Sequence, residues 1–477
     1  MYRIPARPKP LAALMGIVSL GGMACVATAG GFLLTEHGAS GMGNSYAGAA
    51  AVSGDTSTVW FNPAGMSQLE GRQTAVAFHI LNTSTEWTDE GTTLGAAVGR
   101  GVASGDDTAN PGTNSVLPNF YYVSQINDQW SYGLSIGVPF GSSTEYDPDW
   151  KGRYTTVKSG ISVIDINPAV ALKVSEKVSL GFGVSVQQLS AELGSAVDSG
   201  AACLGLAGNP GTSFTRGDCL NAGLSPGVQE NDGYGEITGD STAVSFNLGA
   251  LFTPRDDLKI GVAYRHEMSH ELDGDVDFTV DEALQGILDS NTIEAGQPLT
   301  QGFLNDVGAK AAIDLPATFS VSGAWQMNEN LQWLADVTWT GWSTFQELKV
   351  VYDNPFQRDT LSVQEWEDVM RYSAGLNYTV NPKLVLRAGV AFDEEAIPSA
   401  QRRTARIPGN DRTWVSVGAG YAVNKNVSFD VGVARLSLDE TPIDNFDPES
   451  QGVGQEVRGF YKGSVNFLSA QFNWAFN

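Results

Sequence analysis

The chain reads as an all-β protein, a 14-stranded antiparallel transmembrane β-barrel. Three features lead to that reading. Segment after segment alternates apolar with small or polar residues at period two. Trp and Tyr gather near the ends of those segments. The connections alternate between tight turns and long loops.

The alternation is regular. Val178, Leu180, Phe182, Val184 and Val186 are separated by Ser179, Gly181, Gly183 and Ser185. Val244, Phe246, Leu248, Ala250 and Phe252 interleave with Ser245, Asn247 and Gly249, and Val427, Phe429, Val431 and Val433 with Ser428, Asp430 and Gly432. Leu331, Trp333, Ala335, Val337 and Trp339 follow the same rule around Gln332, Asp336 and Thr338. Period two is the strand period, so one face of each strand must meet something apolar. A soluble sandwich alternates too. Here the segments run roughly 10 to 16 residues, against about 5 to 6 for soluble strands and about 9 to 11 for tilted membrane strands. Tyr264, Trp325, Trp339, Tyr378, Tyr421 and Trp474 sit where interfacial aromatic girdles would lie.

Six tight turns fall at Ile126-Asn127-Asp128, Ser175-Glu176-Lys177, Pro254-Arg255-Asp256-Asp257, Met327-Asn328-Glu329-Asn330, Asn381-Pro382 and Asn424-Lys425. Seven longer connections lie near 87–115, 141–157, 190–240, 268–311, 350–366, 394–411 and 438–460. Thirteen connections join fourteen strands, an even number that places both ends on the periplasmic side if short turns are periplasmic. In the last strand Leu468, Ala470, Phe472, Trp474 and Phe476 share a face, as is typical of barrels delivered to the bacterial outer membrane. Asn477 follows the terminal Phe, a small departure.

Two regions are not strand-like. Residues 30–68 are rich in Gly, Ala and Ser and lack alternation. Residues 281–310 carry Leu284, Ile287 and Leu288 at helical spacing. The first 29 residues read as a signal peptide. Arg3, Arg7 and Lys9 form a basic n-region, Leu11 to Ala27 is mostly apolar, and Ala27-Thr28-Ala29 is a small-residue cleavage site. A lipoprotein signal at Cys25 is disfavoured by Gly22-Met23-Ala24 before it, which lacks the usual leucine. Beyond it no run of 18 apolar residues reads as a membrane helix, and no linker or composition shift divides the remainder.

Losing three basic and no acidic residues with that segment takes the net charge from −25 to −28, which argues against nucleic-acid binding. The 55 glycines and 17% charged residues suit a sheet protein with close-packed positions. Cys203 and Cys219, 16 residues apart in a Gly/Asn/Ser-rich stretch, are expected to form a disulfide in an exported protein, rather than two free thiols. His266 and His270 stand at i, i+4 outside any helical H-E-x-x-H pattern, so no metal site is expected. No G-x-S-x-G elbow is present, and an enzyme is not expected. No cofactor is called for.

Motifs along the chain carry a family resemblance. They begin with Gly31-Phe32, Glu36, Ser40-Gly41-Met42-Gly43, Ala47-Gly48-Ala49-Ala50, Asp55 and Asn62-Pro63-Ala64-Gly65-Met66. Val138-Pro139-Phe140-Gly141 follows, placed just after the third strand, then Trp150-Lys151-Gly152-Arg153-Tyr154. Trp339-Thr340-Gly341-Trp342-Ser343-Thr344-Phe345, Leu386-Arg387-Ala388-Gly389 and Ile407-Pro408-Gly409-Asn410-Asp411-Arg412 complete the set. In this order they resemble the FadL-type outer-membrane transporters of long-chain fatty acids and other hydrophobic compounds, over essentially the whole mature chain. The resemblance implies residues 1–29 as signal peptide, 30–70 as an N-terminal hatch (plug) of short helices, and 71–477 as the barrel. It also implies passive uptake: capture in extracellular loops, a lumenal pocket against the hatch, and lateral exit through a kinked third strand. Rival readings are uptake of aromatic hydrocarbons or alkanes, a surface receptor or adhesin barrel without transport, and a general porin. The expected partners are a hydrophobic small molecule and outer-membrane lipid with lipopolysaccharide. A monomer is expected.

Residues can be placed on that scheme. Gly133, Gly137 and Pro139 lie on the third strand, where Gly or Pro breaks a ladder; the kink is expected at Gly133 or Gly137, the alternative being simple packing relief. Asn62-Pro63-Ala64 would adjoin the gap, the Asn62 amide replacing unmade ladder bonds, unless it is only an Asn-Pro turn. Phe32, with Leu33 and Leu34, would reach the ligand pocket. Alternation turns Lys259, Arg265, Arg371 and Arg387 inward as partners for a carboxylate, along with Asp336 and Asp430, with which they would otherwise pair. Lys151 and Arg153 are the other candidates.

Overall fold

The computed structural model describes residues 31–95, 99, 101–207, 212–291, 303–355, 357–446 and 455–476. The signal-peptide reading, Cys25 and Asn477 lie outside these. Fourteen strands form one closed antiparallel barrel. The first six are β1 (Arg72–Asp89), β2 (Asn114–Gln125), β3 (Trp130–Glu145), β4 (Lys158–Ser175), β5 (Val178–Asp198) and β6 (Asp232–Arg255). Next come β7 (Leu258–Arg265, continuing as Met268–Thr279), β8 (Val307–Leu315, then Thr318–Gln326), β9 (Leu331–Thr340, then Glu347–Tyr352) and β10 (Thr360–Val363, then Val369–Asn381). The last four are β11 (Leu384–Asp393), β12 (Arg412–Ala422), β13 (Val427–Leu438, then Thr441–Phe446) and β14 (Gln455–Phe476). Pairing of β1 with β14, from Arg72↔Phe476 to Asp89↔Gly459, closes the ring.

The wall is apolar outside. On β5, Leu180 and Phe182 are 46% and 45% exposed, whereas Ser179, Ser185 and Gln187 are 2% exposed or less. Phe78, Ile80, Val244, Val417, Val431 and Leu468 join the exposed apolar face. A soluble protein would bury these side chains; a bilayer is the environment that accepts them. The strands outrun the 10 to 16 residues read from sequence: β5, β6 and β14 have 21, 24 and 22. Their ladders continue past the thickness a bilayer requires, through polar residues that sequence reading assigned to loops. Val138–Gly141 likewise lies within β3 rather than after it.

Residues 31–69 fill the lumen. The hatch contains α1 (Ala39–Met42), α2 (Thr58–Phe61) and a 3-10 turn (Pro63–Gln68). Its backbone lies directly on the wall at several glycines, Gly261 and Gly389 among them. A Cβ on Gly261 would overlap the Ala50 carbonyl, and one on Gly389 would overlap Asn44. At the long-loop end, α3 (Ser199–Leu206) and α4 (Arg216–Asn221) are joined by the Cys203–Cys219 disulfide. They pack with α5 (Glu282–Ser290) around Leu206, Phe214, Leu224, Leu284 and Leu288.

Candidate functional site

The wall is interrupted beside the hatch. β2 and β3 pair from Gln125↔Ser131 only as far as Phe120↔Ile136. Toward the long-loop end, β4 is the one strand of the wall that β3 still pairs with among the described residues, with a register shift between Gly137 and Phe140. The extra residue falls at Val138–Pro139, where Pro139 offers no N–H. Gly133, by contrast, is regularly paired with Val123 and Ala169. Gly137 is the last residue before the shift, and a Cβ there would meet the Asn119 amide.

The hatch N-terminus takes up the pairing that β3 lacks. Leu33 bridges Phe140 antiparallel. Leu34 N donates to Pro139 O (2.8 Å) and Gly141 N to Phe32 O (2.9 Å). From β2, Asn119 Nδ2 donates to Glu36 O (2.9 Å) and Tyr121 Oη to His37 O (2.5 Å). Residues 32–37 are thus stitched to both sides of the interruption.

Phe32 is buried in an aromatic partition. Its ring centroid is 4.8 Å from Trp342, 6.0 Å from Phe140 and Trp366, and 6.1 Å from Phe345. Above it, toward the long loops, an apolar cavity is lined by Phe32, Ile161, Leu189, Leu272, Ile313 and Ile407. Below it a second cavity is lined by Leu33, Leu34, Phe61 and Phe140 together with Arg265, Arg371 and Arg412. Two of these arginines share Asp393: Arg371 at 2.8 Å and Arg412 at 3.9 Å, while Trp414 Nε1 donates to the same carboxylate at 2.8 Å. Arg265 differs. Its guanidinium stacks 3.6 Å over Trp60 and donates to Ser185 Oγ (2.8 Å) and Trp60 O (3.1 Å), with no ion pair among the described residues.

The other basic candidates lie elsewhere. Lys259 and Arg387 face a wide polar vestibule at the short-turn end, where Arg387 pairs with Asp430 at 2.7 Å. Lys151 is bonded to Asp89 (2.8 Å) and Asp107, and those two carboxylates raise its pKa above the ordinary lysine value. Arg153 is buried on Asp232 (2.6 Å), Ser104 and Tyr154. Neither lines the two cavities beside the hatch.

Asn62 requires a correction. It sits against β5 and β6, at Gly181 and Gly249, not beside the β3 interruption. Its Nδ2 donates to Ala50 O (2.7 Å) and Ala250 O (3.0 Å), and its Oδ1 accepts from Ala64 N (3.1 Å). It caps the 3-10 turn and moors Pro63 and Ala64 to a continuous part of the wall. The reason is steric: Gly181 there admits the Pro63–Ala64 backbone and Gly249 the Asn62 side chain and Pro63 ring, and β3 has its own partner in residues 32–34.

Sequence reasoning passed over Trp342, Trp366, Phe345 and Arg412 as site residues. Trp342, Phe345 and Arg412 stand within motifs of the family resemblance, but nothing in those motifs marks them as lining the site. They come from three different connections and strand ends, and periodicity within one strand says nothing of their meeting.

Comparison with known proteins agrees with this architecture. Residues 21–476 match the family model described as outer membrane protein transport protein (OMPP1/FadL/TodX). The chain belongs to this family. The Escherichia coli K12 long-chain fatty acid transport protein is 26% identical over 429 residues, covering 88% of this chain and 91% of that one. Outer membrane protein P1 of Haemophilus influenzae is 29% identical over 419 residues, 86% of each chain. The crystal structure of a Pseudomonas aeruginosa FadL homologue superposes with a TM-score of 0.79 at 25% identity, covering 94% of this chain and 100% of that one. The Ralstonia pickettii toluene transporter TbuX shares the fold, with a TM-score of 0.60 at 18% identity over 92% and 98% of the chains. This FadL-family member is therefore an outer-membrane transporter of hydrophobic compounds and not an enzyme. Its long loops are extracellular and its short turns periplasmic.

Proposed function

We propose that the chain carries long-chain fatty acids passively across the outer membrane, as a monomer. The substrate is captured by the extracellular loops and enters the apolar upper cavity. It passes the Phe32 partition, lies with its carboxylate at Arg265, and leaves sideways between β2 and β3 beyond Ile136. The hatch comprises residues 30–70 and Phe32 to His37 are its moving part; Gly137 and Pro139 keep the wall open there.

The observation that carries this reading is Arg265. A half-buried cation that stacks on Trp60 and makes no direct ion pair among the described residues, with the buried Asp165 carboxylate acting on it at longer range, in a cavity shared with Leu33 and Phe140, suits an amphiphile with an anionic end. The relative named a long-chain fatty acid transport protein, at 26% identity, favours the same substrate class. Hydrocarbon uptake is the second reading, favoured by the upper cavity, whose lining is largely aliphatic.

The test is uptake of radiolabelled oleate by cells whose only hydrophobic transporter is this protein, with toluene as competitor. Oleate uptake that toluene leaves unchanged supports the fatty-acid reading. No oleate uptake, with toluene accumulation instead, replaces it with the hydrocarbon reading.

A further inference from the structure

The outer face of the wall carries a polar row that crosses four strands. Arg435 on β13 is in register with Asn466 on β14, Asn466 with Asn82 on β1, and Asn82 with Asn114 on β2. All four residues are exposed. Two residues along each strand, about 7 Å away, the same register holds Val433, Leu468, Ile80 and Val116, each 45% to 51% exposed. The apolar band that meets the bilayer therefore stops at that line, and the polar row stands at the level of the outer-leaflet head groups. Beyond the polar row come Ser437, Ser464 and Ser84.

Arg435 is the cation of this row, and it makes no ion pair among the described residues. Its Nη1 and Nη2 donate to Asn466 Oδ1 and Ser464 Oγ, both at 3.3 Å. These are long bonds, and a guanidinium has about five donors to give. The acids of this face begin beyond the serines, where Glu86 stands opposite Lys462 and Glu440 is bonded to it at 2.8 Å. The far wall differs. There β6 and β7 expose Asp240, Glu271, Asp273, Asp275 and Asp277, with Asp240 in register with Asp273. A chain of net charge −25 thus turns an unpaired guanidinium to the membrane boundary, on a face whose adjoining groups are neutral amides and hydroxyls.

We propose that this row seats a lipopolysaccharide molecule of the outer leaflet, with a lipid A phosphate on Arg435, sugar hydroxyls and acyl carbonyls on the three asparagines, and acyl chains against Val433, Leu468, Ile80 and Val116. Charge and width both fit that occupant. A phosphate takes the forked donors of a guanidinium in pairs. Neighbouring strands lie about 4.8 Å apart, so polar contacts spread over four of them suit a disaccharide head group better than a glycerol one. The row ends at Asn114, on the stretch of β2, residues 114–119, that has no partner on β3. The bound lipid therefore borders the interruption in the wall. The inference rests on the outer-membrane placement and not on either reading of the substrate.

The site is tested on the protein isolated from outer membranes in detergent, by native mass spectrometry during titration with one of three lipids. These are phosphorylated lipid A, the same lipid A stripped of phosphate, and phosphatidylglycerol. Arg435→Leu should weaken binding of phosphorylated lipid A about tenfold or more, as expected for lost hydrogen bonds to a charged group. Lys349→Leu removes an exposed cation of β9 that is paired with Asp359, and should change binding by less than about twofold. Lipid A without phosphate should bind the unsubstituted protein about tenfold more weakly and be indifferent to Arg435→Leu. Phosphatidylglycerol should bind more weakly than phosphorylated lipid A. Heat-shifted gel mobility checks that each variant is folded. Unchanged binding in Arg435→Leu, or an equal loss in Lys349→Leu, overturns the site. An equal effect of Arg435→Leu on both forms of lipid A overturns the phosphate contact. Phosphatidylglycerol bound as tightly as phosphorylated lipid A overturns lipopolysaccharide as the occupant.

Discussion

The upper and lower halves of the lumen are built by the same strands with opposite chemistry. On β4 the inward positions Asn167 and Asp165 give way to Val163 and Ile161. On β5, Ser185 and Gln187 give way to Leu189 and Ala191. Within two residues of one face, the wall changes from polar to apolar, and the Phe32 partition sits near that level. The upper cavity selects chiefly by greasiness, because most of its lining offers a substrate area to bury, at about 25 cal/mol per Å², although Lys310, paired with Asp273, and Arg406 also line it. The lower cavity adds a charge test at Arg265. A molecule that satisfies both is an amphiphile, entered from one side and held by its head at the other.

The partition is the sharpest place to break this contrast. Truncating a buried aromatic costs about 3–5 kcal/mol. Phe32→Ala should therefore free residues 32–37 from β3 and speed hydrogen exchange at the Leu34 amide, now bonded to Pro139 O, by about 100-fold or more. Exchange at the unsubstituted rate would show that the two cavities are not held apart by Phe32.

The loop cluster above should be held by its disulfide. Closing a 16-residue separation stabilises by about 3 kcal/mol in the chain-entropy account. Cys203→Ser with Cys219→Ser should let protease cut within 199–231 about 100-fold faster while the barrel keeps its heat-shifted gel mobility. Equal cleavage rates would assign the loop's order to the apolar packing on α5 alone.

A smaller effect is expected at the head-group end. Arg265→Leu removes hydrogen bonds to a charged group worth about 1.5–3 kcal/mol, so oleate uptake at low concentration should fall about 10- to 100-fold, with toluene accumulation little changed. Loss of both together would remove the distinction between the cavities. Lys151→Ala should do least, changing oleate uptake by less than about threefold, since partly exposed ion pairs contribute about 0–1 kcal/mol. A large loss there would move the charged contact to the rim.

Much of the barrel was legible because alternation reports burial directly. It gave the strand number, the turns and the inward direction of Arg265, Arg371 and Arg387. It did not give strand length, because polar residues continue the ladder above the bilayer in β5, β6 and β14. Cys203 and Cys219 were legible from spacing and compartment. The site was legible only in part. Register between distant segments decides that Leu33 meets Phe140 and that Trp342 and Trp366 flank Phe32, and no local pattern records it. Asn62 was misplaced for the same reason: an Asn-Pro step announces a turn but not the wall glycines it will rest on.

The account depends most on the hatch parting from β3 to release substrate. Leu33→Cys with Phe140→Cys places two cysteines at positions that face each other across that contact. Oleate uptake would be measured in this variant oxidised and then reduced, with the unsubstituted protein carried through the same treatments. The account predicts background uptake when the cross-link is formed and recovery when it is reduced, with little change in the unsubstituted protein. Uptake by the fully cross-linked variant at its own reduced rate would contradict it.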